Sequence, residues 1–220
     1  MTKENHLRWL DAFILATYAL QIIMICFFPV PSAGSTVEML FKVRKDKNLS
    51  IDHPAKLVIR SMPKLMAMIL ATLFVTATSL LPLLSILFPQ LINYLFPLMK
   101  SQPDTLLILT ALLLTIGNAL TIIGVRTLRI HVTFQEFGET TKLHTTGIYR
   151  YIRNPITVGL GIIYAGFFLS LPCAVMLFGF ILFGINSDYR VRLEEVYLQR
   201  TFGEVYYRYK NRVGKYFPKY

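Results

Sequence analysis

Long stretches of the chain contain no charged residue. Four of them run over residues 12–28, 65–99, 105–125 and 154–187. A helix needs about 20 apolar residues to cross the hydrocarbon core of a bilayer. The hydrophobic pattern therefore predicts an all-α, polytopic membrane protein.

The last apolar run, residues 154–187, is too long for a single crossing. At 1.5 Å per residue it would extend roughly 50 Å as one helix, against a hydrocarbon core of about 30 Å. Pro172 lies near its middle. The run is therefore either one tilted, kinked helix or a tight hairpin of two shorter helices.

The distribution of basic residues favours the hairpin. Of the 23 Lys and Arg residues, six lie in residues 29–63, five in 126–153 and eight in 186–220. A hairpin puts all three segments on one side of the membrane, which the positive-inside rule identifies as the cytoplasmic side. We predict about five transmembrane helices, the last two forming a helical hairpin, followed by a cytoplasmic C-terminal helix. The N-terminus would then lie outside.

The chain divides into two predicted regions. Residues 1–130 form an N-terminal transmembrane region, with three spans and the basic cytoplasmic loop 29–63. Residues 131–220 hold the hairpin and a basic C-terminal tail. An alternative interpretation takes residues 1–34 as a signal peptide, although their apolar part is long for one.

Composition narrows the class of protein further. Hydrophobic residues make up 54% of the chain and charged residues 16%, against about 25% charged in a typical soluble domain. This excludes a disordered tail, a coiled coil and a small soluble enzyme. The net charge of +11 in such an apolar chain indicates anionic lipid rather than nucleic acid as the partner. The four histidines and two cysteines show no ligand spacing, so no metal site is predicted.

The first candidate chemical segment runs from residue 142 to 159. Gly147 allows an unusual backbone turn, and Asn154 followed by Pro155 is typical of a helix start. A helix N-terminus with free N–H groups can hold a carboxylate. Alternatively, Arg150 and Arg153 only extend to lipid headgroups. The glycines of residues 159–166 lie in an apolar helix, where they favour close helix packing over a nucleotide loop.

The second candidate segment follows the hairpin. Arg190 and Glu194 are four residues apart and share a helix face, and Glu195 adds a second carboxylate. Two carboxylates beside a hairpin suit an ammonium or sulfonium group. The alternative is a solvated helix with surface ion pairs.

Together, the two segments resemble the isoprenylcysteine carboxyl methyltransferase family and its phospholipid methyltransferase relatives. The family pattern is Gly-x-Tyr, then Arg-His-Pro-x-Tyr-x-Gly, a membrane hairpin, Glu-Glu, and Phe-Gly-x-x-Tyr-x-x-Tyr. This chain carries matching residues in the same order: Gly147-Ile-Tyr149, Arg153-Asn154-Pro155-Ile-Thr157-Val-Gly159, Glu194-Glu195 and Phe202-Gly203-Glu-Val-Tyr206-Tyr207-Arg-Tyr209. The resemblance covers about residues 140–218.

This chain departs from the pattern at several positions. Asn154 replaces the histidine before proline, and Thr157 replaces the tyrosine two residues after it. Upstream, Thr141 stands where the family has a histidine, and His144 replaces a valine. Asn retains hydrogen-bonding groups but does not titrate near neutral pH.

The resemblance implies methyl transfer from S-adenosyl-L-methionine to a lipid-like, hydrophobic or prenylated acceptor, with the site facing the cytoplasm of a multi-pass membrane protein. It implies catalytic roles for Arg153, Arg190 and Glu195. It also implies a cofactor pocket, in which Glu195 takes part as well. The pocket residues are Tyr149, Asn154, Pro155, Thr157, Gly159, Glu194 and Glu195. Two alternatives remain, namely a phospholipid N-methyltransferase and a non-catalytic lipid-binding protein on the same scaffold. A transporter is disfavoured because the spans hold few ionisable residues.

Overall fold

The described part of this computed structural model is helical. It comprises Trp9 and residues 11–20, 62–95, 104–132 and 143–219. Seven helices are described, together with a 3-10 turn over Gly147–Arg150. In chain order they are α1 (Asp11–Leu20), α2 (Met62–Ser79), α3 (Leu81–Leu87), α4 (Pro89–Leu95), α5 (Asp104–Val132), α6 (Pro155–Ser170) and α7 (Ala174–Arg212).

Among the described residues, three helical stretches are long and apolar enough to cross a membrane. They are Ile69–Leu87, Thr105–Leu128 and Ala174–Val196. Two shorter apolar helices, α1 and α6, accompany them. The prediction of an all-α membrane fold is confirmed, whereas the number of five spans stays a prediction. Most of the basic loop 29–63, along with the second half of the first predicted span, lies outside the described residues.

The predicted hairpin is present. Helix α6 ends at Ser170, and α7 begins at Ala174 after a break of three residues that includes Pro172. The two helices then pack against each other near the turn, where the Tyr164 ring stacks on the rings of Phe180 and Phe183.

The second apolar run is interrupted earlier than its pattern predicts. We expect one helix to about Phe88, but α2 ends at Ser79 and α3 begins at Leu81. Pro82 lies in the first turn of α3 and lacks the N–H that would continue the hydrogen-bond ladder of α2. The apolar stretch Ile69–Leu87 therefore reaches nearly to the predicted end at Phe88, with a one-residue break at Leu80.

The chain forms two compact units. The first comprises residues 1–28, 68–118 and 159–186. Its core contains the fully buried side chains of Leu114 and Met176. Glycines bring α5 and α6 close together: a Cβ on Gly117 would meet the carbonyl oxygen of Gly159 at 2.8 Å, and one on Gly166 would meet Leu114 at 2.9 Å. The packing interpretation of these α6 glycines is confirmed.

The second compact unit comprises residues 29–67, 119–158 and 187–220. It has a small core of Tyr206, Tyr209 and Val213, with Leu143, Leu198 and Phe202 packed against it. Helix α7 changes direction within this unit at Gly203, whose φ of 51° and ψ of −124° are not helical.

Candidate functional site

The start of α6 has the local structure that its sequence predicts. Gly147 adopts a positive φ of 60° and opens the 3-10 turn. Pro155 begins α6 and is fully buried, and the Val158 N–H donates to the carbonyl oxygen of Asn154 at 3.1 Å. A Cβ on Gly124 of α5 would lie 3.4 Å from Pro155, so a close helix contact fixes this first turn.

A buried ion pair joins this loop to α7. Arg153 Nη1 lies 2.8 Å from Glu195 Oε1, and the two side chains are only 9% and 13% exposed. A second cation, Lys210 Nζ, lies 3.5 Å from Glu195 Oε2. Arg153 Nη1 also donates a hydrogen bond to the Tyr206 hydroxyl at 3.2 Å. Glu195 is thus neutralised by two cations from different parts of the chain.

The buried pair has unused hydrogen-bonding capacity. Arg153 Nε and Glu195 Oε1 have no hydrogen-bond partner within the described residues. Oε1 is close to Nη1 but not aligned for a hydrogen bond, so that contact is purely a charge interaction. A buried donor without an acceptor is costly. An acceptor such as a carboxylate on a bound molecule would fit the free Nε–H of Arg153.

Glu194 differs from its neighbour because it keeps solvent-accessible surface, although most of its surroundings are protein. It interacts electrostatically with Arg190, one turn earlier on α7. It also lies near the buried Tyr149: burial raises the pKa of the Tyr149 hydroxyl, and the negative charge of Glu194 raises it further. Glu194 is therefore the accessible carboxylate of the pair.

Two tyrosines of the last helical turns complete the cluster. The Tyr209 hydroxyl donates to the carbonyl oxygen of Tyr149 at 2.7 Å, and this holds the 3-10 turn against α7. Burial, reinforced by the charge of Glu195, raises the pKa of Tyr206 to about 12, although Arg153 opposes the shift. Tyr206 therefore stays protonated at ordinary pH.

The residues after α7 fold back along the site. We call residues 213–219 the C-terminal strap. The Arg153 N–H donates to the Gly214 carbonyl at 2.9 Å, and Asn154 Nδ2 donates to the Lys215 carbonyl at 3.1 Å. At its other side, Lys215 Nζ and the Tyr216 hydroxyl contact Asp188 Oδ1.

The structure brings several predicted site residues together and gives the others different surroundings. Tyr149, Arg153, Asn154 and Glu195 belong to one hydrogen-bonded and ion-paired cluster, with Arg190 and Glu194 coupled to it electrostatically. Pro155 and Gly159 are buried against α5, and Thr157 is half-buried. Gly159 lies in the first compact unit, where its surroundings are those of a packing residue.

Other residues of the cluster were not predicted. They are Asp188, Lys210, Lys215 and Tyr216, which contact loop or helix partners that are distant in sequence. The sequence does indicate Tyr206 and Tyr209, because they belong to the Tyr-x-x-Tyr motif. Its three-residue spacing puts both side chains on one helix face. Asp188 and Lys215 carry no such motif.

Comparison with known proteins bears directly on this cluster. Residues 105–205 match the model of a family described as phospholipid methyltransferase. This segment, 101 of the 220 residues, is similar to that family. The predicted resemblance is confirmed, and the segment contains the loop with Arg153, the hairpin and the two glutamates.

The match to a curated relative covers more of the chain than residues 105–205. The chain is 34% identical over 134 residues to the protein-S-isoprenylcysteine O-methyltransferase of Saccharomyces cerevisiae. The match includes 56% of this chain and 55% of the relative, so the chain spans about half the length of that relative. No solved structure matches the chain.

Proposed function

We propose that this protein is an integral membrane methyltransferase that uses S-adenosyl-L-methionine and methylates a lipid-like acceptor, as an isoprenylcysteine carboxyl O-methyltransferase does. The observation that carries the proposal is the buried Arg153–Glu195 pair with its free Arg153 Nε–H. It is supported by the match of residues 105–205 to the phospholipid methyltransferase model and by the activity in the name of the yeast relative. The catalytic region would be residues 131–220.

The described residues fit the charges of the proposed cofactor. The cofactor carries a carboxylate, an ammonium group and a sulfonium centre, and it supplies a methyl group that is already activated for transfer. Arg153 would bind the carboxylate through its free Nε–H. Glu194 lies beside Tyr149 and would bind the ammonium group. Its negative charge would also stabilise the sulfonium centre.

The remaining site residues would align the reactants. Pro155 and Gly159 fix the first turns of α6, and Tyr149 is held through its backbone by Tyr209. A carboxylate acceptor needs no general base, so the contribution of the protein is approach, alignment and exclusion of water. Arg190 is the second arginine near Glu194 and would hold the carboxylate of the acceptor.

A second candidate function is phospholipid N-methylation, which the description of the matching family favours. An amine acceptor must lose a proton before it attacks. The exposed Glu194 would receive that proton. A non-catalytic lipid-binding role is the remaining alternative. The observation in its favour is that the Asn154 side-chain amide already donates a hydrogen bond to the Lys215 carbonyl.

Ligand binding tests the proposal first. Purified full-length protein in detergent is titrated calorimetrically with S-adenosylhomocysteine. We expect binding that is lost in Arg153→Ala and in Glu195→Ala. Absence of binding at millimolar ligand would refute the methyltransferase proposal and favour the lipid-binding one. Methylation assays with a prenylated cysteine analogue and with phosphatidylethanolamine vesicles then separate the two acceptor classes.

The site would face the cytoplasm of a multi-pass protein. The basic residues of segments 126–153 and 186–220 support this orientation through the positive-inside rule. Single cysteines introduced at positions 45 and 210 should be labelled from the same side of sealed vesicles. Labelling from opposite sides would contradict the proposed topology.

A further inference from the structure

The C-terminal strap, residues 213–219, connects two parts of the candidate site that are far apart in sequence. One edge of the strap accepts hydrogen bonds from Arg153 and Asn154 through the carbonyls of Gly214 and Lys215. A parallel bridge between Ile152 and Gly214 extends this contact. The strap therefore fixes the backbone that carries Arg153.

The other edge of the strap contacts α7 through the carboxylate of Asp188 and, nearer its end, through a hydrogen bond from Lys219 to the Asn211 carbonyl. Asp188 Oδ1 accepts hydrogen bonds from Lys215 Nζ and from the Tyr216 hydroxyl. Asp188 also acts on the Tyr216 hydroxyl. Burial raises the pKa of this hydroxyl, and the hydrogen bond and charge of Asp188 raise it further. Asp188 also binds Arg192, one turn further along α7, at 2.6 Å, but that side chain is 73% exposed.

The strap is itself tightly folded. A Cβ on Gly214 would lie 1.7 Å from the carbonyl oxygen of Phe217, so only glycine fits this position without a shift of the backbone. The contacts with Asp188 and the carbonyls that accept from Arg153 and Asn154 thus lie within one short, compact segment.

We propose that Asp188 is a positioning residue, which anchors the C-terminal strap and so holds Arg153 and Asn154 in the arrangement that binds the methyl donor. The expected effect on ligand binding rests on the proposed function. The role of Asp188 in holding the strap rests only on contacts within the chain. Asp188 acts through Lys215 and Tyr216 and touches no reacting atom.

The test compares Asp188→Asn, Lys215→Met and the double variant with a matched control, Arg192→Met. The control breaks the exposed ion pair of Asp188 but leaves both strap contacts intact. Asp188→Glu, which retains the charge, is the conservative variant. Gel filtration and thermal unfolding verify that each variant remains folded.

The first measurement is hydrogen–deuterium exchange on the ligand-free, full-length protein. We expect faster exchange in peptides covering residues 150–156 and 213–219 in Asp188→Asn and Lys215→Met, while Arg192→Met matches wild type. Because Lys215 acts through Asp188, whereas Asp188 also accepts from Tyr216, the double variant should exchange no faster than Asp188→Asn alone. Unchanged exchange at residues 150–156 in both single variants would overturn the inference.

The second measurement is binding of S-adenosylhomocysteine. Loss of the anchor should weaken binding about tenfold, with substantial recovery in Asp188→Glu and no change in Arg192→Met. Equal affinity of wild type and Asp188→Asn would overturn the positioning role. Wild-type protein that does not bind would instead refute the proposed function, and the exchange experiment would still decide whether the strap holds the Arg153 loop.

Discussion

Arg153 and Glu195 form an ion pair of 2.8 Å in which both side chains are about nine-tenths buried. The two residues come from different segments, the loop before α6 and the polar part of α7. Glu194, next to Glu195 in sequence, is exposed. Adjacent glutamates thus have different surroundings, one in a buried ion pair and one with solvent-accessible surface.

Replacing Glu195 should mainly destabilise the protein. Glu195→Gln leaves Arg153 as a buried cation with reduced compensation, and breaking a buried pair costs about 3–5 kcal/mol. We expect a clear decrease in the unfolding temperature in detergent, followed with a thiol-reactive dye that reports Cys173. An unfolding temperature equal to that of wild type would contradict the structural role of this pair.

Replacing Glu194 should mainly affect ligand binding. Glu194→Gln removes a charge that is surrounded by protein and makes no direct ion pair within the described residues, so the unfolding temperature should not fall. A charged hydrogen bond to the ammonium group of the donor is worth about 1.5–3 kcal/mol, which corresponds to a loss of roughly 10- to 100-fold in affinity. Calorimetric titration with S-adenosylhomocysteine measures it. The same affinity in variant and wild type would exclude Glu194 as the ligand contact.

The hydroxyl of Tyr209 should contribute measurably to stability. Tyr209→Phe removes the 2.7 Å hydrogen bond to the Tyr149 carbonyl and leaves that acceptor without this donor. The expected loss is about 1–3 kcal/mol. Tyr207→Phe is the matched control, since Tyr207 is 49% exposed and its substitution should change stability by at most about 0.5 kcal/mol. Equal unfolding temperatures for the two variants would disprove this assignment.

Gly203 should tolerate alanine poorly although there is space for a methyl group. A Cβ at Gly203 would have nothing within 4 Å, but its φ of 51° is rare for residues with a side chain. We expect Gly203→Ala to cost about 1–3 kcal/mol. Gly184→Ala, also in open space and without a positive φ, should be neutral or stabilising. Similar effects of both substitutions on the unfolding temperature would refute the backbone explanation.

Stability should decrease at high pH because of the buried tyrosines. The pKa of Tyr206 is raised from 10.0 to about 12 by burial, so the folded state keeps a proton that the unfolded chain has lost. This contribution to stability is complete below about pH 10 and is lost as the pH rises towards 12. Unfolding temperature against pH, together with the absorbance of tyrosinate, measures it. Ionisation of every tyrosine near pH 10 would contradict it.

Several features of the fold follow from the sequence because they depend on local composition. Apolar runs free of charge predict helices in a membrane, since backbone groups in lipid must be satisfied within the segment. Pro172, in a run too long for one span, predicts the hairpin between α6 and α7. The break at Leu80 depends on Pro82, which lies within an apolar run that otherwise continues past it.

The candidate site was predictable only where a motif brought its residues to attention. Arg153, Asn154 and Glu195 were identified from their motifs, but their mutual contacts were not. Asp188 and Lys215 have no motif, and charged residues outside a motif usually face solvent. Their contact exists only because the strap folds back onto α7.

The sequence by itself determined the class of the molecule, its apolar helices, the hairpin and the residues that carry the family resemblance, because each depends on hydrophobicity and spacing along the chain. Tertiary structure alone decided which carboxylate is buried and which is exposed, and which side chains hold Arg153. Those outcomes depend on how distant segments pack, and the free energy of burying a charge is set by partners that sequence spacing does not specify.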